Sequence, residues 1–554
     1  MGAGELSPHF AIGGRRGKMG TILLKNGMVY DGLGNPPKQQ NILLKDDRIE
    51  QIGCMEETAD EVINVQGKII CPGFVDIHRH CDAKPLNDPE FGRRELAQGI
   101  TTTVVGNCGI SLTPCPSSDE GAREMYDFDE AVLGPMELNL PRTYEDYLKA
   151  LEEAELPLNF ASMIGTGAVK ITVKGFADTP YTQEELDSAR ALIEDAMKRG
   201  AVGVSLGIMY LPECYSSTKE FAYILEPVGR YGRVITTHIR GEGDSMVESV
   251  KEVLEIGKEA GCALEISHFK SCGVHNWRKD IHTAIRLIEE ARAQGQDVTC
   301  DFYPYEGGST ALTTMLPPVF VAGDMTKALK KLGTLEGVEE FRRLSRKAYD
   351  DWDNFCVTLG WERIIISGVT QERFQKMLGM TVTEAAEQFG YEDAEALAAD
   401  LMHSENGKTA IINMSMCQED IDTVAKLPYS NFISDAIYAQ TDTPHPRMYG
   451  AFPKVIREYV NERKLLSMEE AIHKMTGQPA KRMKLDGRGV LAEGNYADIL
   501  VFDPEIFRDH ATFQDPARLA DGLGYVFVNG KAVIRDDEWL DHISSGRNIL
   551  AGGK

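Results

Sequence analysis

This sequence predicts an α/β fold built around a (β/α)8 barrel, and two observations carry the prediction. From about Gly73 to Met475, strand-like apolar runs alternate with helical stretches, the pattern of a parallel sheet joined by crossover helices. Five of those runs end on a histidine, a cysteine or an aspartate, and parallel barrels carry their chemistry at the C-terminal ends of their strands. Eight strand candidates are counted: 73–78, 101–106, 159–164, 201–205, 234–238, 263–268, 298–303 and 431–435.

The first run, Ile69-Ile70-Cys71-Pro72-Gly73-Phe74-Val75-Asp76-Ile77, closes on His78-Arg79-His80. Residues i and i+2 of a strand share a side, so the two imidazoles project together and form half of a metal site. Two histidines this close also arise by chance, so the later runs decide. Cys108 follows the β-branched run Thr101 to Asn107. His238 ends Arg233 to Thr237, His268 ends Ala263 to Ser267, and Asp435 ends Asn431 to Ser434. A buried Cys or His is usually a core residue. Polar groups at the tips of five separate strands are better explained as one metal site.

Between the runs, Thr182 to Arg199, Asp244 to Ala260 and Asp280 to Gln294 space their apolar residues as helices do, with a glycine near the end. The gap from Pro304 to Ser430 is too long for one crossover. It holds helix candidates at Glu336 to Asp351 and Glu384 to Met402 and a strand at Arg363 to Val369. An insertion over about 306–428, just before the last strand, is expected to act as a lid. Residues 20–70 and 486–545 instead read as short alternating strands, expected to join in a small β-sandwich domain beside a TIM-like barrel at 71–485. Met19 is a candidate alternative start, and residues 1–19 otherwise read as a tail.

The 59 basic and 85 acidic residues give a formal net charge of -26, which opposes nucleic acid or an anionic membrane surface as a partner. No run approaches a membrane span, and the first residues lack the apolar core of a secretory signal. Eleven scattered cysteines suit a reducing cytoplasm better than a disulfide framework.

Several motifs resemble the D-aminoacylase (N-acyl-D-amino-acid deacylase) family of the amidohydrolase superfamily. They are Pro72 to His80, Gly106-Asn107-Cys108-Gly109-Ile110-Ser111, Thr237-His238-Ile239-Arg240, Ile266 to Lys270, Tyr303-Pro304-Tyr305 with Gly307 to Thr310, and Ser434-Asp435 with His445 to Phe452. The cysteine after the second strand is the most specific of them. The resemblance implies zinc-dependent hydrolysis of N-acyl-D-amino acids. It implies a tight Zn²⁺ at Cys108, His238 and His268, and a weaker second metal near His78 and His80, with Cys108 as the bridge. Asp435 would be the general base and acid, and Lys270, Tyr303 and Arg447 would clamp the substrate carboxylate.

Two departures keep alternatives open. Gly165-Thr166-Gly167 stands where many relatives carry a histidine, and Lys170 stands where an arginine is expected. A carboxylated Lys170 would make the chain a cyclic-amide hydrolase of the hydantoinase or dihydroorotase kind. A catalytically inactive scaffold is the third reading, disfavoured because every metal and acid position is filled.

Overall fold

The computed structural model describes residues 20–55, 58–349, 352–540 and 544–552. The expected tail or alternative start at residues 1–19 and the expected helix end at Asp351 lie outside the described residues.

Eight parallel strands form the centre, here β1 (Phe74–Asp76), β2 (Ile100–Val105), β3 (Asn159–Ser162), β4 (Gly203–Gly207), β5 (Val234–His238), β6 (Ala263–Ile266), β7 (Val298–Phe302) and β8 (Ser430–Phe432). β1, β2 and β3 pair in parallel, as do β4 through β8. Ile164–Gly165, just beyond β3, pairs with β4 and connects the two groups. At the other margin Arg79 bridges Ala436 in parallel. There the His80 N–H donates to the Ala436 carbonyl at 3.0 Å and the Asp435 N–H to the His78 carbonyl at 2.9 Å. Nearly every residue of these strands is buried, as strands covered on both faces must be.

The crossover helices fall close to the expected spans. Gln183–Arg199 starts on a Thr182–Glu185 capping box and ends at Gly200 in the left-handed region. Met246–Ala260 ends the same way at Gly261, and Asp280–Ala293 is the third.

The insertion differs more from expectation. Leu335–Ser345 stops earlier than Asp351. The single helix expected over Glu384 to Met402 is two, Val382–Phe389 and Ala394–Ser404. Gly390 at φ +77° ends the first, and the Asp393 carboxylate caps the second by accepting from the Ala396 N–H. The expected strand appears as Ile364–Gly368. It pairs antiparallel with Ala410–Asn413, which also pairs with Gly308–Ala311. This region supplies most of a second hydrophobic core, including Leu312, Met315, Phe341, Ile364 and Leu397, to which Met209 and Cys272 also contribute.

Strands from both chain ends share a nine-stranded sheet, in which Ile69–Pro72 lies antiparallel to Ile499–Phe502. The first apolar run is therefore two strands: Ile69–Pro72 belongs to the terminal sheet and β1 to the parallel one. Gly73 makes the switch, where a Cβ would lie 2.0 Å from Thr101 Oγ1. Among the described residues, no helix is long and apolar enough to cross a membrane.

Candidate metal centre

The strand tips converge as the alternation predicts. Three of the site residues, Cys108 (φ +55°), His268 (φ +35°) and Asp435 (φ +51°), adopt the left-handed region that non-glycine residues avoid. Each turns the chain sharply just past its strand, and such strain costs on the order of 1–3 kcal/mol and gathers at functional sites. Neighbouring glycines make room for the cysteine loop. A Cβ on Gly207 would lie 2.0 Å from the Cys108 carbonyl oxygen, and one on Gly165 2.1 Å from that of Gly109. The absence of a histidine at Gly165 thus has a steric reason in this chain.

His78 Nε2 lies 3.2 Å from Cys108 Sγ, which lies 3.4 Å from His268 Nε2. His78 Nε2 and His80 Nε2 stand 3.4 and 3.3 Å from Asp435 Oδ1. The His238 and His268 rings meet edge to face at 4.4 Å. Three sets of ligand atoms lie mutually within 4.8 Å: His78, Cys108 and His268; His78, His80 and Asp435; His238, Glu242 and His268. His268 belongs to two of these sets, and within this reach Cys108 is grouped with His78 and not with His238.

Electrostatics fit a divalent cation. Burial holds His78 and His80 below the ordinary imidazole range and His238 and His268 well below it, so all four are neutral and able to ligate. Among the described residues, the buried Nδ1 atoms of His78, His80 and His238 have no hydrogen-bond partner, which a folded interior rarely tolerates. Burial pushes the Cys108 thiol well above its ordinary value, and the Asp435 charge adds to this. A cation among these groups would reverse the effect, since a coordinated thiol is deprotonated. A thiolate with imidazoles is a donor set that suits zinc.

The surrounding groups orient the ligands. His268 Nδ1 lies 3.0 Å from Glu242 Oε1 and 2.8 Å from the Lys270 ammonium, and these two groups fix the ring with its Nε2 3.4 Å from Cys108 Sγ. The Asp301 carboxylate accepts from the His268 N–H at 2.5 Å and lies 3.5 Å from His78 Nδ1. Burial pushes the Asp435 carboxyl up, but the Arg447 guanidinium and His78 outweigh that and hold it well below the usual carboxylate range. Arg447 Nη1 is 2.8 Å from Asp435 Oδ2.

One cavity opens onto His80, Cys108, His238, His268 and Asp435. Lys270 and Tyr303 also line it. Arg447 sits behind that lining, its guanidinium 4.5 Å over the Tyr303 ring. Lys270 Nζ is 2.5 Å from Glu242 Oε1. Ile110, Val132 and Ile437 form an apolar wall, and Met209 and Phe355 also face the cavity. Lys170 is elsewhere: its ammonium donates to Ser216 Oγ at 2.8 Å and lies over the Tyr181 ring.

Sequence reasoning missed Glu242, Asp301 and Tyr210, whose ring lies 4.6 Å from His238. Asp301 sits inside the seventh apolar run and Glu242 four residues after His238, so both offered a signal, though a weaker one than the histidines.

A parallel α/β sheet with histidines, a cysteine and acids at its strand tips defines a metal-dependent amidohydrolase. Residues 421–534 match the model of the Amidohydrolase family. The chain is 30% identical over 541 residues to a D-aminoacylase of Alcaligenes xylosoxydans xylosoxydans, covering 95% of this chain and 96% of that one. A solved D-aminoacylase with a binuclear metal centre superposes with a TM-score of 0.80 at 30% identity, over 96% of this chain and 99% of that one. An N-acyl-D-glutamate deacylase from Bordetella bronchiseptica, solved with zinc and a phosphonate mimic of the tetrahedral intermediate, gives 0.79 at 28% identity over the same shares. The chain belongs to the D-aminoacylase (N-acyl-D-amino-acid deacylase) family of amidohydrolases.

Proposed function

We propose that this protein hydrolyses the amide of N-acyl-D-amino acids, releasing a free D-amino acid and a carboxylate. One observation carries the reading: Cys108, His80, His238, His268 and Asp435 line the cavity that Lys270 and Tyr303 also line, with His78 within ligand reach of Cys108 and Asp435. Cys108, His238 and His268 would hold a tight Zn²⁺, and His78 and His80 a second, weaker one. Bound zinc supplies Lewis acidity toward the scissile carbonyl and toward water. Asp435, kept ionised by Arg447, takes the proton of the attacking water and returns it to the leaving amine nitrogen. The Lys270 ammonium and the Tyr303 hydroxyl receive the α-carboxylate by charge-assisted hydrogen bonds. Arg447, expected in this clamp, sits behind Tyr303 and instead braces Asp435.

The strand pairings, together with the Arg79–Ala436 bridge, support closure into a (β/α)8 barrel over 71–485. Residues 306–428, with most of a second core and with Phe355 and Asn413 at the cavity, serve as its lid. Residues 20–70 and 486–545 form the small β domain. Among the described residues all eleven cysteines are free, in keeping with a reducing cytoplasm.

The test is a screen of N-acetyl-D- and N-acetyl-L-amino acids on zinc-loaded protein, read by release of free amine. D-substrates with neutral apolar side chains should lead. Lys270 at the cavity already faces Glu242, and Arg447 behind it faces Asp435, so a second substrate carboxylate finds the wall of Ile110, Val132 and Ile437. N-acetyl-D-leucine should exceed N-acetyl-D-glutamate by roughly tenfold or more in kcat/KM, the value of about 1.4 kcal/mol. Turnover of hydantoins in place of these amides, with an intact mass showing carboxylated Lys170, would instead establish the cyclic-amide reading. Zinc binding without turnover of either class would establish the scaffold.

A further inference from the structure

Arg79 stands between His78 and His80, and strand alternation turns its side chain away from theirs, into the helix layer. Its guanidinium is fully buried, which is tolerated only where every donor finds an acceptor. Nε donates to the Tyr438 hydroxyl at 2.8 Å, Nη1 to Ser434 Oγ at 3.0 Å and Nη2 to the Met448 carbonyl at 3.3 Å. Nη2 also lies 2.9 Å from Glu95 Oε1, and Nη1 3.4 Å from Asp76 Oδ2. Tyr438 in turn donates to Glu95.

These contacts join the two chain segments that carry the first half of the metal centre. Asp76 Oδ1 accepts from the backbone N–H groups of both His78 (3.4 Å) and Ser434 (3.1 Å), while Ser434 Oγ donates to Asp76 Oδ2 at 2.5 Å. Ser434 immediately precedes Asp435, and Met448 immediately follows Arg447, the partner of Asp435. One planar cation therefore touches the strand bearing His78 and His80, the strand end bearing Asp435 and the helix start bearing Arg447. A lysine ammonium, a single point of charge, cannot span these directions.

We infer that Arg79 is a positioning residue, whose buried guanidinium fixes His78, His80 and Asp435 relative to one another for metal binding and proton transfer. This role rests on the metal-centre reading above. A wild type with no zinc affinity would remove that reading and this role together, whereas a defect confined to the variants bears on Arg79 alone.

The experiment compares full-length wild type, Arg79→Met, Arg79→Lys and Tyr438→Phe. Zinc affinity is measured by chelator competition, kcat and KM separately on N-acetyl-D-leucine, and Tm by calorimetry. Groups that orient metal ligands typically contribute ten- to a hundredfold in metal affinity or activity. Arg79→Met should lose about that factor in kcat and in affinity for the second zinc, with KM within about twofold because Lys270 and Tyr303 lie on other strands. Arg79→Lys should recover less than a tenth of the loss, and added guanidinium should raise kcat of Arg79→Met. If Arg79→Met is insoluble, Tyr438→Phe decides, because it removes the hydroxyl that links Arg79 Nε to Glu95 and leaves the charge; it should lower kcat severalfold at unchanged KM. Wild-type kcat and zinc affinity in the folded variants, whatever their Tm, would show that Arg79 supports only the fold.

Discussion

The two halves of the metal centre are held in different ways. The half from β1 and β8, with His78, His80 and Asp435, rests on buried ion pairs: Arg79 with Asp76 and Glu95, and Arg447 with Asp435. The half from β5 and β6, with His238 and His268, is held by Glu242 and Lys270, and both of these line the cavity. The first half is therefore preorganised by Arg79, Asp76, Glu95 and Arg447, none of which lines the cavity. The second is built from groups that, in the proposed clamp, would exchange partners when a carboxylate arrived. Proton transfer depends on fixed geometry, and the proposed mechanism gives that task to the rigid half and recognition to the other.

The largest effect expected is from the residue that joins the halves. Cys108→Ala should lose most of its zinc and nearly all activity, because the thiolate is the only anionic ligand expected at the tight site. Zinc content by atomic emission checks this, and a wild-type value would mean that the cysteine joins nothing.

Next comes the rigid half. Asp435→Asn should keep its zinc at Cys108 yet lose roughly 10²–10⁴-fold in kcat, the usual range for a general acid–base group. A near-normal rate in the zinc-replete variant would remove Asp435 from the chemistry.

Lys270 and Arg447 separate the halves most sharply. A hydrogen bond to a charged group contributes roughly 1.5–3 kcal/mol, or about ten- to a hundredfold in kcat/KM. Lys270→Met should show that loss on N-acyl-D-amino acids and spare their neutral α-amides. Arg447→Met should damage both substrates alike, since its 2.8 Å contact is with Asp435. Selective damage there would move Arg447 into the clamp.

The smallest effect lies beneath the cysteine loop. Glu213 accepts from Thr166 and from the Gly207 N–H, and burial pushes its carboxyl up from 4.5 to about 7. The folded chain then keeps a proton that the unfolded chain releases above 4.5, so this stability is full below that pH and lost as pH rises through about 7. Glu213→Gln should flatten the fall in Tm between pH 5 and 8 by roughly 2 °C, measured by calorimetry. Asp82, pushed to about 8 by burial, keeps the slope from vanishing.

Much of this was legible in the chain. The alternation of apolar runs and capped helices located the eight parallel strands, because buried strands and amphipathic helices have different periods. His78, Cys108, His238, His268 and Asp435 were legible because each closes such a run. Glu242 and Asp301 were not, because an acid near a strand end is ordinary until the fold brings it to a histidine. The break at Gly390 was readable from glycine followed by Asp393, yet the helical period on both sides masked it. The switch of sheets at Gly73 depends on contact with Thr101, about thirty residues away, and the ties made by Arg79 join residues more than three hundred apart. Such pairings have no local signature.

The second core, supplied mostly by the insertion, has an evolutionary consequence. Leu312, Phe341 and Ile364 pack among themselves and not into the central cluster, yet Phe355 and Asn413 reach the cavity. Substitutions in the proposed lid would reshape what is admitted while the hydrolytic machinery keeps its own foundations. Descendants of one ancestral amide-cleaving scaffold could thus diverge in diet without re-inventing their chemistry.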